Sequence, residues 1–270
     1  MRGGVALIQG SLSFEDSSGQ PLRHLGVDDK GRPLRDPFGR APVTVGGKGP
    51  VVRVPFLGTA FLVSREGTML TSRHVVEPWR EDAALAPILA LGVRPRVVQL
   101  RAFFPGLPNP IPVSVLKSSE AADVALLKGE AIGRSVPVLP LDRTGKEAVP
   151  GRPVLVIGYP GGVELLLARV DPAALRLLVK EEAVDVVALL ETLGQRHLIR
   201  PYATWGHLAD VRDHQIAYDA ETTLGGSGGP VVNLSGRVIG VNYGIVAGFS
   251  ASGFGSFSAI AFPSMFNLQD

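Results

Sequence analysis

Residues 224–232 read Leu-Gly-Gly-Ser-Gly-Gly-Pro-Val-Val, so that one serine, Ser227, stands between two pairs of glycines. Glycines on both sides let the backbone turn sharply and expose the hydroxyl, because they adopt conformations that other residues avoid. The same turn leaves the amides of Gly225 and Ser227 free to converge on an oxygen that is gaining negative charge. A glycine-rich turn is usually only a loop, so the rest of the chain decides whether Ser227 is reactive.

A serine hydroxyl is a weak nucleophile unless a neighbouring base accepts its proton. The chain has five histidines, and His74 directly follows the apolar run at residues 68–72, which is predicted to be a strand. A histidine at the end of a strand can face a cleft, whereas most single histidines only pack or cover a surface. This placement predicts that His74 is the general base.

The base needs a carboxylate that fixes its tautomer and stabilises the imidazolium. Asp123 interrupts the apolar run at residues 121–127, where a buried carboxylate is costly without a partner. Asp123 is therefore predicted to orient His74. The other aspartates in the body of the chain lie in polar or turn-like sequence, which predicts surface charges or helix caps: Asp82, Asp142, Asp171, Asp210, Asp213 and Asp219.

The order His74, Asp123, Ser227 resembles that of the trypsin-like serine proteases, as do Gly-Thr-Ala-Phe-Leu-Val before the histidine and Gly-Gly-Ser-Gly-Gly-Pro-Val around the serine. The resemblance covers roughly residues 51–162 and 203–265. It implies an all-β fold of two six-stranded antiparallel β-barrels of the chymotrypsin type, with the site in the cleft between them. It also implies acyl transfer to Ser227 without a metal or cofactor, and a protein or peptide as substrate.

Two bacterial branches of that family are similar in finer detail. Residues 218–227 and 238–244 resemble the V8-type glutamyl endopeptidases, and residues 154–162 and 257–263 resemble strands of the HtrA proteases. The trypsin pattern has an aspartate before the serine that captures a newly cut N-terminus, but this chain has Gly226. Activation by N-terminal cleavage is therefore not expected.

The same resemblance predicts that Glu221, Thr222, Asn242, Tyr243 and Gly244 bind substrate. Glu221 lies six residues before the serine, where trypsin-like enzymes place the base of the specificity pocket. We therefore hypothesise a preference for a basic residue before the cut, with a surface glutamate as the alternative. Thr222 matches a pocket threonine of the V8 type. Asn242 stands where that type has a histidine that recognises an acidic side chain, so strict glutamate specificity is not implied.

The domain organisation follows from short apolar runs separated by many of the 33 glycines and 22 prolines. Two groups of about six predicted strands, the first beginning at Val51, predict two barrels. We expect an irregular N-terminal extension at residues 1–48, a first barrel at 49–135 and a second at 136–270. Residues 5–9 are a candidate for one strand that pairs with the body.

A helical insertion is predicted within the second barrel, at about residues 163–201. Asp171 suits the N-cap, Pro172 the first helical position and Gly194 the C-terminal end, and the leucines and valines between them recur near the helical period. The insertion has three possible roles: covering the cleft, binding an activating protein partner, or packing on the barrel.

The composition excludes several classes of function and structure. The chain has no cysteine, so it can form no disulfide, thiolate nucleophile or cysteine-bound zinc site. This favours a reducing compartment, the cytoplasm of a bacterium, although export with removal of a leader is the alternative. We expect no signal peptide in the first residues and no membrane span. The basic residues are scattered, which argues against nucleic-acid binding.

Other folds with a reactive serine fit poorly. An α/β-hydrolase needs its catalytic histidine after the serine, and no histidine follows Ser227. A subtilisin-like order needs an aspartate before His74, where the candidates lie in polar loops. The alternative that stays open is a catalytically silent or partner-activated binding module on a protease fold.

Overall fold

A computed structural model describes residues 1–132, 135–173, 175, 186–212, 215–245 and 253–256. The chain is mostly β, and its strands close two six-stranded barrels, which confirms the predicted chymotrypsin-like class. The strands of the N-terminal half are β1 Val5–Glu15, β2 Leu22–His24, β3 Val43–Val45, β4 Val54–Leu62, β5 Thr68–Ser72, β6 Arg94–Phe103, β7 Ile111–Ser119 and β8 Val124–Gly129. Those of the C-terminal half are β9 Pro153–Gly158, β10 Tyr202–Arg212, β11 Gln215–Tyr218, β12 Pro230–Asn233, β13 Val238–Ile245 and β14 Gly253–Ser256.

The first barrel has the order β1-β4-β5-β8-β7-β6, and the second has the order β10-β11-β14-β13-β12-β9. The strands β2 and β3 form a separate two-stranded sheet. The described α-helices are α1 Arg73–Val76, α2 Ala86–Leu89, α3 Gly162–Leu167 and α4 Val186–Gln195, and short 3₁₀ helices span Arg2–Gly4, Pro78–Arg80 and Ala83–Leu85. No helix among the described residues is long and apolar enough to cross a membrane.

The chain divides into two compact units. The first contains residues 1–9, 57–76 and 101–270, and the second contains residues 10–56 and 77–100. Every candidate catalytic and substrate-binding residue belongs to the first unit. The domain boundaries expected at residues 48 and 135 stay a proposal.

The strand expected at residues 5–9 is confirmed, and it is longer than its sequence suggested, since residues Val5–Glu15 form a full strand of the first barrel. The first ten residues of strand β1 are all buried, including the polar Gln9. The Gln9 carboxamide oxygen accepts hydrogen bonds from Arg101 Nε at 3.0 Å and Nη2 at 2.9 Å, which offset the cost of burying both groups. The run that was expected to begin a strand at Val51 forms only a single bridge there.

Three turns of the second unit share one design that the sequence reading missed. Asp16, Asp28 and Asp36 each begin an Asp-x-x-Gly turn, in which the carboxylate accepts the backbone N–H groups two and four residues later at 2.9–3.0 Å. The glycine of each turn has φ between +75° and +83°. A three-residue loop whose last residue is left-handed is a common connection in β-hairpins. Unequal spacing, 12 and then 8 residues, hid the repeat.

The described helices of the insertion pack on the hydrophobic core of the first unit. Leu166 in α3 and Leu190 and Leu193 in α4 are buried there. Asp171 makes the hydrogen bond predicted for an N-cap, since its Oδ1 accepts the Ala173 N–H at 2.9 Å. Residues 176–185, where part of the helix was predicted, lie outside the described residues.

The helix end predicted at Gly194 is confirmed to within one residue, because α4 ends at Gln195, but Gly194 itself is helical and is not the left-handed residue after the helix. The left-handed residue that follows the helix is His197, with φ +54°, and the Leu198 N–H bonds back to Leu193 O at 2.9 Å. This is the Schellman arrangement, which usually has glycine at the position of His197. A Cβ at Gly194 would lie 3.1 Å from Pro108 O, so close packing explains the glycine.

Asp142 holds the segment that connects the two barrels, and it is buried rather than a surface charge. Its carboxylate accepts hydrogen bonds from Thr144 N at 2.9 Å, Thr144 Oγ1 at 2.7 Å, Gly145 N at 3.2 Å and Glu147 N at 3.0 Å. Burial alone would raise the pKa of Asp142, but these bonds favour the charged form more strongly and lower the pKa below its ordinary value of 3.8.

We predict that Asp142→Asn lowers the free energy of unfolding by about 1–3 kcal/mol at pH 7, because the amide places an N–H₂ group against a backbone donor. The folded pKa is depressed, so the stabilisation is complete above the unfolded pKa and is lost as the pH falls through the folded pKa. Urea unfolding at pH 7 and at lower pH should show the difference from wild type shrinking in acid. Asp210→Asn, at a half-exposed pair with Arg212, is the control and should change stability by less than about 0.5 kcal/mol. Equal losses in both variants would contradict the prediction.

Candidate active site

His74 and Asp123 form the closest pair of candidate catalytic groups. His74 lies in α1, directly after β5, and Asp123 lies in the turn before β8. The antiparallel pairing of β5 with β8, in which Ser72 faces Val124, brings these two strand ends together. His74 Nδ1 lies 2.7 Å from Asp123 Oδ2, and the side chains are 19% and 16% exposed. The two side chains are thus mostly buried, but each keeps a small exposed fraction.

Asp123 is held by more than its bond to the ring. Its Oδ1 accepts the His74 N–H at 3.1 Å and its carbonyl accepts the Arg73 N–H at 2.9 Å. Its φ of +47° is in the left-handed region, which aspartate tolerates better than most residues but which still costs free energy. The surrounding bonds fix this strained backbone, so the carboxylate has one position relative to the imidazole.

Ser227 lies in a turn in which two carbonyl groups, those of Leu224 and Gly226, accept hydrogen bonds. Leu224 O accepts the Gly161 N–H at 2.7 Å, and Gly226 O accepts the Gly229 N–H at 3.1 Å. A trans peptide unit points its N–H opposite to its C=O, so the amides of Gly225 and Ser227 point away from these anchors. Neither amide donates to an acceptor among the described residues. Two free donors beside a serine hydroxyl are what an oxyanion requires.

Gly225 must be glycine at this turn. Its φ is +88°, and an added Cβ would lie 2.5 Å from Tyr159 O. At Gly226, where trypsin-like enzymes have aspartate, a Cβ would lie 2.5 Å from Thr222 Oγ1. Gly225 is therefore required by the close approach of the Tyr159 backbone, and a side chain at Gly226 fits only if Thr222 moves.

The segments that carry Ser227 and His74 are in contact. Asn242 O accepts hydrogen bonds from Ser72 Oγ at 2.9 Å and from Gly228 N at 2.6 Å, so it joins residues next to the candidate base and nucleophile. No hydrogen bond between Ser227 Oγ and His74 Nε2 is present in the described part of the chain. Such bonds are often long in unliganded enzymes and tighten when substrate binds.

A small pocket of about 190 Å³, partly open to solvent, adjoins the serine turn. Of the five residues predicted to bind substrate, Glu221 and Thr222 line this pocket, whereas Asn242, Tyr243 and Gly244 are not among the described lining residues. The lining consists of Val156, Gly158, Pro160, Tyr202, Thr204, Glu221, Thr222 and Gly226.

Asn242 supports the pocket from behind. Its Oδ1 accepts the Tyr218 hydroxyl at 2.5 Å, and its Nδ2 donates to Thr222 Oγ1 at 3.0 Å. Because Thr222 accepts from Asn242, the Thr222 hydroxyl keeps its own proton to donate. Tyr243 lies near the candidate dyad instead, since burial raises the pKa of Tyr243 and the negative charge of Asp123 raises it further.

Sequence reasoning missed two residues of this site, Arg73 and Thr59. The Arg73 guanidinium lies 3.8 Å from Asp123 Oδ1 and 3.5 Å from Glu120. Thr59 is buried and its hydroxyl donates to Gly225 O in the serine turn. The position of Arg73 beside His74 was a signal for the first, and Thr59 lies in the Gly-Thr-Ala-Phe-Leu-Val motif, which marked the family but not a role for the threonine.

We predict that Gly225→Ala lowers the rate at which an alkyl fluorophosphonate modifies Ser227 by about 10²–10³-fold, the loss expected when one oxyanion donor is misplaced. Gly151→Ala is the matched control, because Gly151 has φ +79° and open space around its Cα. It should lose about 1 kcal/mol of stability but no reactivity. The rate of labelling, followed by mass spectrometry, checks both. A Gly225→Ala protein that labels within threefold of wild type would show that the amide is not used.

Comparison with known proteins places this geometry in a family. A Synechocystis protein named serine protease HhoA is 28% identical over 204 residues, which cover 75% of this chain and 40% of that protein. A DegP-like periplasmic serine endoprotease of Pseudomonas fulva is 28% identical over 234 residues, covering 86% of this chain and 37% of the relative. The chain thus spans less than half the length of these relatives.

Among solved structures, the serine endoprotease from Yersinia pestis matches 99% of this chain and 64% of its own, with a TM-score of 0.54 and 18% identity, which supports the fold. The family model described as a trypsin-like peptidase domain matches residues 58–241, well over half of the chain. The range includes His74, Asp123 and Ser227. The chain therefore belongs to the family of trypsin-like peptidase domains.

Proposed function

We propose that this chain is a serine endopeptidase that hydrolyses peptide bonds through an acyl-enzyme on Ser227. The observation that carries the proposal is the 2.7 Å contact of His74 Nδ1 with Asp123 Oδ2, together with a serine turn in which two amides have no acceptor among the described residues. Membership of the trypsin-like family supports the same reaction class.

The proton path follows from the Asp123 contact. An ionised carboxylate only accepts hydrogen bonds, so His74 Nδ1 carries the hydrogen and Nε2 has a free lone pair. Nε2 takes the Ser227 proton as Oγ attacks the scissile carbonyl, and the imidazolium then gives that proton to the leaving amine. The peptide C–N bond breaks and an ester on Ser227 remains. Water then attacks the ester by the same route, and Ser227 regains its proton.

The charge that develops on the carbonyl oxygen is met by the amides of Gly225 and Ser227. The carbonyls of the same two peptide units, Leu224 O and Gly226 O, already accept hydrogen bonds from Gly161 N and Gly229 N, so the donors need no reorganisation when the negative charge appears. Preorganised donors of this kind supply much of the rate of acyl transfer.

We predict that a fluorophosphonate labels the wild-type protein on Ser227 and that the protein hydrolyses unfolded casein, whereas Ser227→Ala does neither. Asp123→Asn should lower kcat by about 10⁴-fold, because the amide stabilises the wrong tautomer of His74. Circular dichroism of each variant controls for folding. A folded wild type that neither labels nor cleaves would favour the silent or partner-activated binding module instead.

We further propose that Glu221 directs cleavage after basic residues. Glu221 is one of the residues that line the pocket, and no basic residue is among the described lining residues. Val156, Pro160 and Tyr202 provide apolar walls against which the aliphatic part of a lysine or arginine can pack. The Thr204 hydroxyl donates to Glu221 O at 2.7 Å and fixes its backbone.

We predict that a peptide library shows kcat/KM for lysine or arginine before the cut about threefold to fivefold above that for alanine, because one partly exposed ion pair contributes up to about 1 kcal/mol. Glu221→Gln should abolish this preference and leave cleavage after alanine unchanged. Glu66→Gln, at an exposed glutamate outside the pocket, is the control and should retain it. A preference that survives in Glu221→Gln would assign the specificity to other groups.

The location and partners of the protein are also proposals. The Pseudomonas fulva relative is named as periplasmic, which supports export of this chain and gives no support to the cytoplasmic location suggested by the lack of cysteine. For the helical insertion, the burial of Leu166, Leu190 and Leu193 favours packing on the core. The comparisons offer no support for an activating partner there. Protein or peptide substrates are the partners that the family supports.

A further inference from the structure

Thr59, on β4, is fully buried, and all of its polar atoms are hydrogen-bonded. Its Oγ1 donates to Gly225 O at 2.7 Å and accepts the Tyr159 N–H at 3.1 Å. Its N–H donates to Ser227 O at 2.8 Å, and its carbonyl accepts Thr71 Oγ1 at 2.6 Å. Three of these four bonds go to the serine turn or to the segment beside it.

We propose that Thr59 is a positioning residue whose hydroxyl holds the Gly225 amide in the orientation that an oxyanion needs. This proposal rests on the proposed peptidase function of the site. Thr59 grips the turn at two carbonyls, one on Gly225 through its side chain and one on Ser227 through its backbone. The Ser227 amide lies in the backbone between the two bonded carbonyls, and the Gly225 amide lies directly before the first of them.

The hydroxyl also connects the two anchors of the turn. Tyr159, whose N–H it accepts, lies two residues before Gly161, and Gly161 N holds Leu224 O at 2.7 Å. The peptide unit between Leu224 and Gly225 is therefore fixed from both ends, by Gly161 at its carbonyl and by Thr59 just beyond its amide.

Removal of the hydroxyl has a specific structural consequence. It leaves Gly225 O and the Tyr159 N–H without a partner in a buried place, which is costly for both groups. They can satisfy each other only if the gap now bridged by the hydroxyl closes. Closing it moves Gly225 toward Tyr159 and turns its amide away from the scissile carbonyl. A merely structural hydroxyl would lower stability without this movement.

The test uses Thr59→Val, which replaces the hydroxyl with a methyl group of similar size, and Thr59→Ser, which restores a hydroxyl. We expect Thr59→Val to lower kcat on a peptide amide substrate by about 10–100-fold, somewhat less than loss of an oxyanion donor, with KM changed less than threefold. Inhibition by a peptidyl aldehyde should weaken in parallel, and Thr59→Ser should recover kcat to within about threefold. Thr59→Ala serves the same purpose if the valine variant does not fold.

Thr71→Val is the matched control, since Thr71 is equally buried and its hydroxyl donates to Thr59 O rather than to the serine turn. It should lose stability but keep kcat. A folded Thr59→Val protein with wild-type kcat and aldehyde affinity would overturn the proposal, as would an equal loss of kcat in Thr71→Val.

A measurement that needs no activity separates this proposal from the peptidase function. In the ¹⁵N–¹H spectrum, the Gly225 resonance should shift in Thr59→Val and stay near its wild-type position in Thr71→Val, while that of Gly151 stays in both. If wild type neither labels nor cleaves, the peptidase proposal fails, and the spectrum still decides whether Thr59 orients Gly225. An unmoved Gly225 resonance would overturn the positioning role.

Discussion

A peptide carbonyl that is bonded on one side of the chain fixes the direction of its N–H on the other side, and the candidate active site depends on this constraint. Gly161 N donates to Leu224 O and Gly229 N donates to Gly226 O, so the amides of Gly225 and Ser227 both point away from these bonds. The glycines of the turn are required because Gly225 has φ +88° and both Gly225 and Gly226 lack room for a Cβ. The sequence Gly-Gly-Ser-Gly-Gly is therefore a requirement of backbone geometry before it is a chemical motif.

The dyad depends on a similar use of the backbone. Asp123 has a left-handed φ of +47°, and the bonds from Arg73 N and His74 N keep it there. The strain and the bonds together leave the carboxylate one orientation toward the imidazole, which suits a group that must select one tautomer. A residue without strain at this turn would make the fold more stable, but it would not hold the carboxylate in this position. Such strain is common at functional sites.

Much of this arrangement was predictable from the sequence, because it lies in local patterns. The two barrels followed from two groups of short apolar runs, and the pairing of His74 with Asp123 followed from their positions beside β5 and β8. The sequence predicted the first part of strand β1, at residues 5–9, but not its continuation to Glu15. Nor did it show that Gln9 is buried, because the partner of Gln9 is Arg101, far along the chain. The role of Thr59 was not predicted because its hydroxyl bonds to residues about 100 and more positions away.

The central claim is that Ser227, His74 and the two amides act on one carbonyl group. The most direct test is a crystal structure of the protein with a peptidyl boronic acid. We predict a covalent bond from Ser227 Oγ to boron, with one boronate oxygen within hydrogen-bond distance of the amides of Gly225 and Ser227 and the other within reach of His74 Nε2. A boronate that binds without a bond to Ser227, or whose oxygens face neither amide, would contradict the account.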